Sequence, residues 1–296
     1  MMSVKSRFRT LLLPLILIAL PGVTWTFSPV ALRSRKANRI TPLFGWGPDP
    51  VWGAAKVEYS VPSPFHDECV HLRVSVPPGV EDAAKFEIPG QYVQVKIAGD
   101  DECKPSFIAV ANSIQSVAEE GCYEFLIKKT ENNAWCTDTK EGDLLDVSQI
   151  LGGGFPIAEN FDGFKFDFPT QNIMMFASGT GIAPIRSVIE SGVLKPESGR
   201  SCRLYYGCRS PSEMAYAERF AEWEAAGVQV VPVVSQPEGT GWNGRTGYIQ
   251  NALEEDGVVA PKNCGAIMCG MKGMADSVKD VLGKAGVIEG RVLTNF

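Results

Sequence analysis

Histidine is scarce in this sequence: only His66 and His71 occur among its 296 residues. A zinc centre built on three imidazoles is therefore excluded. None of the eight cysteines forms a C-x-x-C pair, and the one C-x4-C pair, Cys264 and Cys269, lacks the third, closely spaced ligand of a plant-type iron–sulfur loop. A chain of this length can bury a core without a disulfide framework, so most of these thiols are expected to be buried and inert. No metal site is predicted.

The amino-terminal region lacks an apolar run that could comfortably span a bilayer. Residues 11–23 are apolar, but they number 13 and include two prolines. With basic residues before this run and small residues after it, residues 1–26 have the pattern of a secretory signal peptide. Residues 27–45 are basic, hydroxylated and free of acids, which is typical of a transit peptide. Two such signals in series resemble the bipartite presequences of algae with complex plastids, and ordinary secretion is the alternative.

Basic residues are few in the rest of the chain. The first 43 residues carry seven of the 28 lysines and arginines and no acid, which leaves 21 basic against 34 acidic residues. An acidic body of this kind is a poor binder of nucleic acid. The composition, 45% apolar and 21% charged, is that of a folded protein. We expect no nucleic-acid partner and no transmembrane span in the mature protein.

Residues 52–158 show short alternating segments separated by turn signals such as PPGVED and GDDECKP. Regular short strands of this kind predict a small antiparallel barrel or sandwich. The expected strands are Lys56–Val61, Val70–Val76, Gln91–Ile97, Phe107–Ala111, Tyr123–Lys128 and Leu144–Val147.

In residues 168–296, predicted strands alternate with helical patterns. One of these patterns predicts a helix over 212–227. This alternation predicts an α/β doubly wound parallel sheet, whose ligands bind beyond the carboxyl ends of the strands. The expected strands are Asn172–Ala177, Arg203–Tyr206, Val228–Val234, Ala266–Cys269 and Arg291–Leu293.

The first of these strands runs into Gly179-Thr180-Gly181-Ile182, with Pro184 in the first turn of the helix that follows. Glycines allow the backbone to approach a pyrophosphate, and the free N–H groups at a helix start bind it. A single G-x-G is weak evidence, since most such turns bind nothing.

Two further strand ends carry unusual residues. The second strand ends in Gly207 and Cys208 followed by Arg209 and Ser210, a cation and a hydroxyl suited to an adenosine ribose or its 2′-phosphate. A later strand ends in Cys269-Gly270-Met271. Because three strand ends carry residues suited to a nucleotide, a nucleotide site is favoured over a glycine turn that binds nothing. For Arg209 the alternative is a solvated charge at a helix start.

These segments resemble the NAD(P)-binding domain of the ferredoxin–NADP reductase superfamily. The resemblance rests on GTGIAP (179–184), YYGCRSPSEMAY (205–216), AIMCGM (266–271) and TNF (294–296). The resemblance implies that the first half is a Greek-key FAD-binding barrel. Within the superfamily, the sequence most resembles plastid ferredoxin-reductase-like proteins. The implied activity is a flavoprotein reductase that passes hydride from NAD(P)H, with NADPH favoured, to FAD, and electrons to an unknown acceptor.

The resemblance also implies the flavin contacts, and there the sequence departs from the family. The family motif Arg-x-Tyr-Ser corresponds to Lys104, Pro105, Ser106 and Phe107, so the aromatic and the hydroxyl exchange places. Successive strand residues point to opposite faces. A second phosphate loop corresponds to residues 133–136, without its usual glycine. Further flavin contacts are expected at Ile127 and Lys128.

Two residues are expected to act at the reacting atoms. In the family, a cysteine at the place of Cys269 lies near the nicotinamide C4, and a terminal aromatic, here Phe296, shields the flavin. The alternative for Cys269 is a buried core thiol, and the alternative for Phe296 is an apolar anchor.

Because the flavin motif is altered, a second hypothesis remains for the whole protein. It is a regulatory or assembly module that keeps the fold and binds nucleotide with little or no turnover.

Overall fold

The computed structural model describes residues 49–64, 66–163 and 165–295. The two targeting segments expected at 1–26 and 27–45, and Phe296, lie outside the described residues.

The first half forms a six-stranded antiparallel sheet in the order β4-β3-β6-β1-β2-β5. Its edges approach each other just beyond β4, where the amide of Ala111 donates to the carbonyl oxygen of Glu124 at 2.8 Å, so the sheet curls into a barrel. All six strands expected from the alternating pattern are confirmed. They are β1 (Trp52–Ser63), β2 (His66–Ser75), β3 (Tyr92–Ile97), β4 (Ser106–Ala109), β5 (Cys122–Lys128) and β6 (Leu144–Ser148).

The barrel region also holds three short helices: α1 (Ile114–Glu120), α2 (Ala134–Thr137) and α3 (Ile157–Phe161). Helix α1 has the signals it needs, because the Ser113 side chain accepts the amide of Ser116 and Gly121 ends the helix in a left-handed conformation.

The second half forms a six-stranded parallel sheet in the order β10-β9-β8-β7-β11-β12. The predicted doubly wound architecture is confirmed, with the two-residue strand β10 as an addition. The strands are β7 (Asn172–Ser178), β8 (Ser201–Cys208), β9 (Val228–Val234), β10 (Arg245–Thr246), β11 (Cys264–Cys269) and β12 (Val292–Thr294).

Helices cover both faces of this sheet. Helices α4 and α5 pack on one face together with apolar residues of the barrel, and α6 and α7 pack on the other. Buried on both sides, the strands are nearly continuous in apolar residues, as parallel strands must be. The helices are α4 (Ile182–Glu190), α5 (Phe220–Ala225), α6 (Ile249–Asp256) and α7 (Lys272–Ala285).

The strand order reverses between β7 and β11. The chain moves outward from β7 through β8 and β9, then returns to place β11 on the other side of β7. Loops that leave neighbouring strands in opposite directions open a crevice at this switch point. The glycine turn at 179–181 and the Cys269-Gly270 pair are the two loops concerned.

The helix predicted over 212–227 is wrong for its first half. The chain forms two 3-10 turns at Pro211–Glu213 and Ala217–Arg219, and the α-helix starts only at Phe220. The interruption is Tyr216, which has a φ of 61° and is 2% exposed. The left-handed conformation is unfavourable for a residue of this size, so the burial of its ring must stabilise the break.

Candidate functional site

The turn after β7 and the loop after β11 interlock. A Cβ on Gly181 would lie 2.3 Å from the carbonyl oxygen of Cys269, and one on Gly270 would lie 2.2 Å from the Ser178 hydroxyl. The Ser178 hydroxyl accepts the amide of Met271 at 3.0 Å. Glycine is therefore required at both positions by close approach, and the two loops form one continuous surface.

This surface forms one wall of a cleft of about 1070 Å³ between the barrel and the parallel sheet. The volume is at the upper end of the range for ligand sites, which suits a dinucleotide. Most of the residues singled out by the sequence line it. They are Pro105, Ser106, Phe107, Ile127, Lys128, Gly179, Thr180, Gly181, Pro184, Arg209, Cys269, Gly270 and Met271.

Three of the predicted contacts do not line the cleft. Lys104 is exposed outside it, and the side chain of Ile182 is fully buried in the core beneath α4. The Ser210 hydroxyl instead pairs with that of Ser212 at 2.9 Å. Asn295 lines the cleft, whereas the neighbouring Phe296 lies outside the described residues. The expected shielding by Phe296 stays a prediction.

Cys269 is a protonated thiol in this setting. Desolvation by burial raises its pKa to about 11, so almost no thiolate exists at neutral pH. Burial raises the pKa of Cys208, which also lines the cleft, to about 12. Neither group is suited to nucleophilic attack. Cys269 can contribute shape and a weak hydrogen bond at the junction of the two loops.

The cleft has one prominent cation at the end formed by β8. Arg209 is exposed there, with Glu213 also in the lining. Arg245 is held elsewhere, since it pairs with Asp256 and donates to the Ala252 carbonyl oxygen at 3.2 Å. These contacts make Arg245 a loop charge rather than a phosphate clamp.

Sequence reasoning missed Tyr248, whose side chain lines the cleft and is 63% exposed. An exposed aromatic ring in a concave site can stack on a base. Its position before α6 and after Gly247 is a loop-to-helix signal, but nothing in the local sequence shows that this turn reaches the switch point. Only the tertiary structure brings it to the β7–β11 crevice.

Comparison with known proteins identifies one domain and several similar chains. Residues 175–280 match the oxidoreductase NAD-binding domain. Fruit protein pKIWI502 of Actinidia deliciosa is 35% identical over 215 residues, which are 70% of this chain and 66% of that protein. The F subunit of the Na(+)-translocating NADH-quinone reductase of Psychrobacter arcticus is 32% identical over 168 residues, which are 54% of this chain and 38% of that protein. The chain thus spans less than two thirds of these relatives.

Solved structures share the whole two-domain fold. The ferredoxin NADP+ reductase of Neisseria gonorrhoeae, determined with bound FAD and NADP, superposes with a TM-score of 0.66 at 16% identity, covering 82% of this chain and 97% of its own. The cytochrome b5 reductase domain of Ulva prolifera nitrate reductase gives 0.63 at 15% identity, with coverage of 82% and 97%. These structures share the fold of this chain, an antiparallel six-stranded barrel followed by a parallel six-stranded sheet.

The barrel side of the cleft is formed by β4 and β5. Phe107 is 60% exposed, and its ring centre lies 5.7 Å from that of Tyr92. Lys128 pairs with Glu68 at 2.8 Å. The Asn133 side chain, in the altered second loop, bonds the Thr130 amide and the Lys128 carbonyl oxygen, at 2.7 and 2.9 Å. An exposed apolar ring and a cation in the same cleft wall are groups that a flavin can use.

Other site types find no support in the described part of the chain. Residues 49–295, apart from those not described, contain no cluster of three or more metal-ligating side chains. Over the same residues, no helix combines the length and apolar character needed to traverse a bilayer. All eight cysteines have free thiols.

Proposed function

We propose that the protein is a flavin-dependent oxidoreductase that oxidises NAD(P)H and passes the electrons to a separate acceptor. The observation that carries this proposal is the single cleft that joins the barrel wall at Phe107 and Ile127 to the switch point at Gly181 and Cys269. Bound FAD would supply the redox chemistry, by accepting hydride from the nicotinamide and releasing electrons one at a time.

The residues present fit both dinucleotides. The turn at 179–181 would hold the pyrophosphate of NAD(P)H, because its glycines line the cleft at the point where α4 starts, and the amino-terminal end of a helix dipole favours an anion. On the barrel side, Phe107 and Ile127 would contact the flavin with apolar surface, and Lys128 would offer positive charge. Cys269 would shape the meeting point of the two rings as a neutral thiol.

The test is steady-state oxidation of NADPH and NADH by the purified, FAD-supplemented protein, with ferricyanide as an artificial acceptor. Turnover that depends on added or retained FAD is expected. A protein that binds neither FAD nor pyridine nucleotide would contradict the proposal.

The preference for NADPH is a finer proposal that rests on Arg209. A guanidinium in the cleft suits a 2′-phosphate, while the carboxylate of Glu213 in the same lining disfavours it. Replacing Arg209 with alanine should raise the KM for NADPH about tenfold, since a charged hydrogen bond contributes about 1.5–3 kcal/mol. The KM for NADH should stay within about twofold, because the 2′-hydroxyl carries no charge. A wild-type protein that strongly prefers NADH would disprove the NADPH assignment.

A second candidate is a nucleotide-binding regulatory or assembly module with little turnover. The observation in its favour is that Lys104, which corresponds to the family's flavin arginine, does not line the cleft, and that Ser106 replaces the motif's aromatic residue. Such a module would bind pyridine nucleotide, yet show no FAD-dependent turnover in the same assay.

We also propose that the protein acts in a complex plastid, with the bipartite pattern of residues 1–45 as support. Imaging of a fluorescent protein fused behind residues 1–45 tests this. Plastid fluorescence is expected, and purely extracellular signal would show that secretion is the correct alternative.

A further inference from the structure

A charged network crosses the boundary between the barrel and the parallel sheet. Its centre is Arg186 on α4, which is only 5% exposed. The Arg186 Nη1 donates to Glu124 Oε2, on barrel strand β5, at 2.8 Å, and its Nε donates to Glu190 Oε2 at 2.9 Å. One guanidinium thus holds a carboxylate of each domain.

The Glu190 carboxylate and the Arg186 guanidinium each make further contacts. Glu190 Oε1 accepts from the Trp223 indole at 3.2 Å and from Arg219 at 3.3 Å. The Arg186 guanidinium carbon lies 4.9 Å from the ring centre of Tyr216. With charge, hydrogen bonds and a stacked ring all present, Arg186 has one well-defined orientation.

Neutral hydrogen bonds reinforce the same interface along α4. The Ser187 hydroxyl donates to the Asn112 carbonyl oxygen at 2.8 Å, and the amide of Ile114 donates to the Ser191 hydroxyl at 3.1 Å. The Asn112 side chain accepts the amide of Glu124 at 3.0 Å. The barrel segment that precedes β5 is therefore fastened to α4 at more than one point.

The network lies directly behind the two walls of the cleft. Pro184, in the first turn of α4, lines one wall, and Arg186 follows it by two residues. Leu126, on β5, lines the other wall, and Glu124 precedes it by two residues. Helix and strand are stiff over such short distances, so the Arg186–Glu124 pair connects the two walls almost directly.

Domains within one chain ordinarily move relative to each other unless their interface is large and apolar or otherwise constrained. Here the constraint is a buried cation with a carboxylate on each side. Glu124 also pairs with Arg73 at 3.3 Å, so each group keeps one partner when the other is removed. The Arg186–Glu124 pair is nevertheless the ion pair that crosses the interface at a buried cation, and the interface therefore prefers the paired arrangement.

We infer that Arg186 is a positioning residue, whose ion pair with Glu124 fixes the nucleotide-binding turn opposite the flavin-facing strand. The inference rests on the proposed function, because it concerns the geometry in which nicotinamide and flavin meet. Neither Arg186 nor Glu124 lines the cleft.

The experiment compares Arg186→Met and Glu124→Gln with the wild-type protein in the FAD-supplemented reductase assay. Misplacement by a fraction of an ångström slows a reaction that depends on alignment, so kcat is expected to fall at least about tenfold. The KM for the pyridine nucleotide and the FAD content should stay within about twofold, since each binding surface is unchanged. Arg186→Lys, which retains the charge, should recover part of kcat.

Arg203→Met is the matched control. Arg203 pairs with Asp256 at 3.0 Å within the parallel-sheet domain and does not line the cleft. The Arg203→Met variant loses the same guanidinium group without affecting the interface between the domains. Its kcat should equal that of the wild type, while its thermal stability reports the generic effect of losing an arginine ion pair.

The outcomes separate the two proposals. If the wild type turns over NAD(P)H and Glu124→Gln and a folded Arg186→Met keep its kcat, the positioning role is wrong. If Arg186→Met does not fold, Glu124→Gln alone decides in the same way. A change in KM rather than kcat would show that these residues support nucleotide binding instead, and would also overturn the inference. A wild-type protein without turnover defeats the proposed function, and this inference with it.

Discussion

Gly181 lies so close to the backbone of the neighbouring loop that a side chain there would collide with it. Its added Cβ would meet the carbonyl oxygen of Cys269 at 2.3 Å and the Cα of Gly270 at 2.8 Å. Both are backbone atoms of the crevice, which cannot move without widening it. Gly181→Ala should therefore reduce the free energy of unfolding by about 1–3 kcal/mol and weaken NADPH binding. Chemical denaturation and nucleotide titration measure the two effects.

Gly283→Ala is the matched control. Gly283 lies inside α7, and a Cβ added there meets nothing within 4 Å. Because glycine is a poor helix former, the change should stabilise the protein by about 0.5–1 kcal/mol and leave nucleotide affinity unchanged. Equal effects of the two substitutions would show that the close approach at Gly181 has no special cost.

Cys269 tests whether a thiol at the switch point acts by shape or by reactivity. Cys269→Ala should lower kcat about tenfold while KM changes little, because the substitution loosens the contact where the two reacting rings would meet. Burial raises the pKa of this thiol to about 11. Alkylation by iodoacetamide should therefore be very slow at pH 8 and accelerate as the pH rises toward that value, since only the thiolate reacts. Rapid alkylation at pH 8 would contradict the protonated state.

Sequence reasoning located the residues whose constraint is local. Gly181 follows one predicted strand and Cys269 is the last residue of another, and a strand end in a doubly wound sheet is where a ligand binds. Tyr248 was missed because its place in the cleft depends on how α6 packs. Lys104 was included because of its place in a motif, yet it lies outside the cleft. Motif position gives the strand, whereas the direction of a side chain depends on tertiary structure.

At the scale of elements, the regular segments were predictable and the interrupted one was not. All six barrel strands and the alternating order of the second half follow from periodicity and turn residues. The helix expected over 212–227 fails at Tyr216, which is held in a left-handed conformation against Arg186 and 5.1 Å from the His71 ring. Both partners are distant in sequence, so no local pattern could indicate the break.

The connector between the domains, described over residues 165–171 before β7, is fastened by Arg291, which is fully buried. Its guanidinium lies between the rings of Phe166 and Phe168, 4.8 and 4.7 Å from their centres, and donates to the carbonyl oxygens of Phe168 and Lys262. Among the described residues no carboxylate pairs with it, and burial lowers its pKa. Aromatic faces and carbonyl dipoles therefore stabilise this charge.

Arg291→Ala should lower the free energy of unfolding by about 3 kcal/mol, because it removes two charged hydrogen bonds and leaves a cavity between the rings. Denaturant unfolding measures the change. Lys284→Ala, at an exposed ion pair with Asp280 on α7, should leave the midpoint nearly unchanged. If the two variants unfold alike, Arg291 is not what fastens the connector.

At the scale of the whole molecule, sequence predicted two domains and their order but not how they are joined. The pairing of Glu124 with Arg186 links residues 62 positions apart. In the local sequence, Glu124 looks like an ordinary strand residue and Arg186 like an ordinary helix residue. Their contact exists only once both domains are folded, and it determines the shape of the cleft. The interface is the part of the site that composition and periodicity leave undetermined.

The central claim is that this cleft brings a pyridine nucleotide and a flavin together. The most direct measurement is the absorption spectrum of the purified protein with FAD, recorded without oxygen before and after addition of NADPH or NADH. The account predicts flavin bands that bleach on addition of the nucleotide and return when an acceptor is supplied. A protein that takes up no FAD, or whose flavin bands persist with both nucleotides, would contradict it.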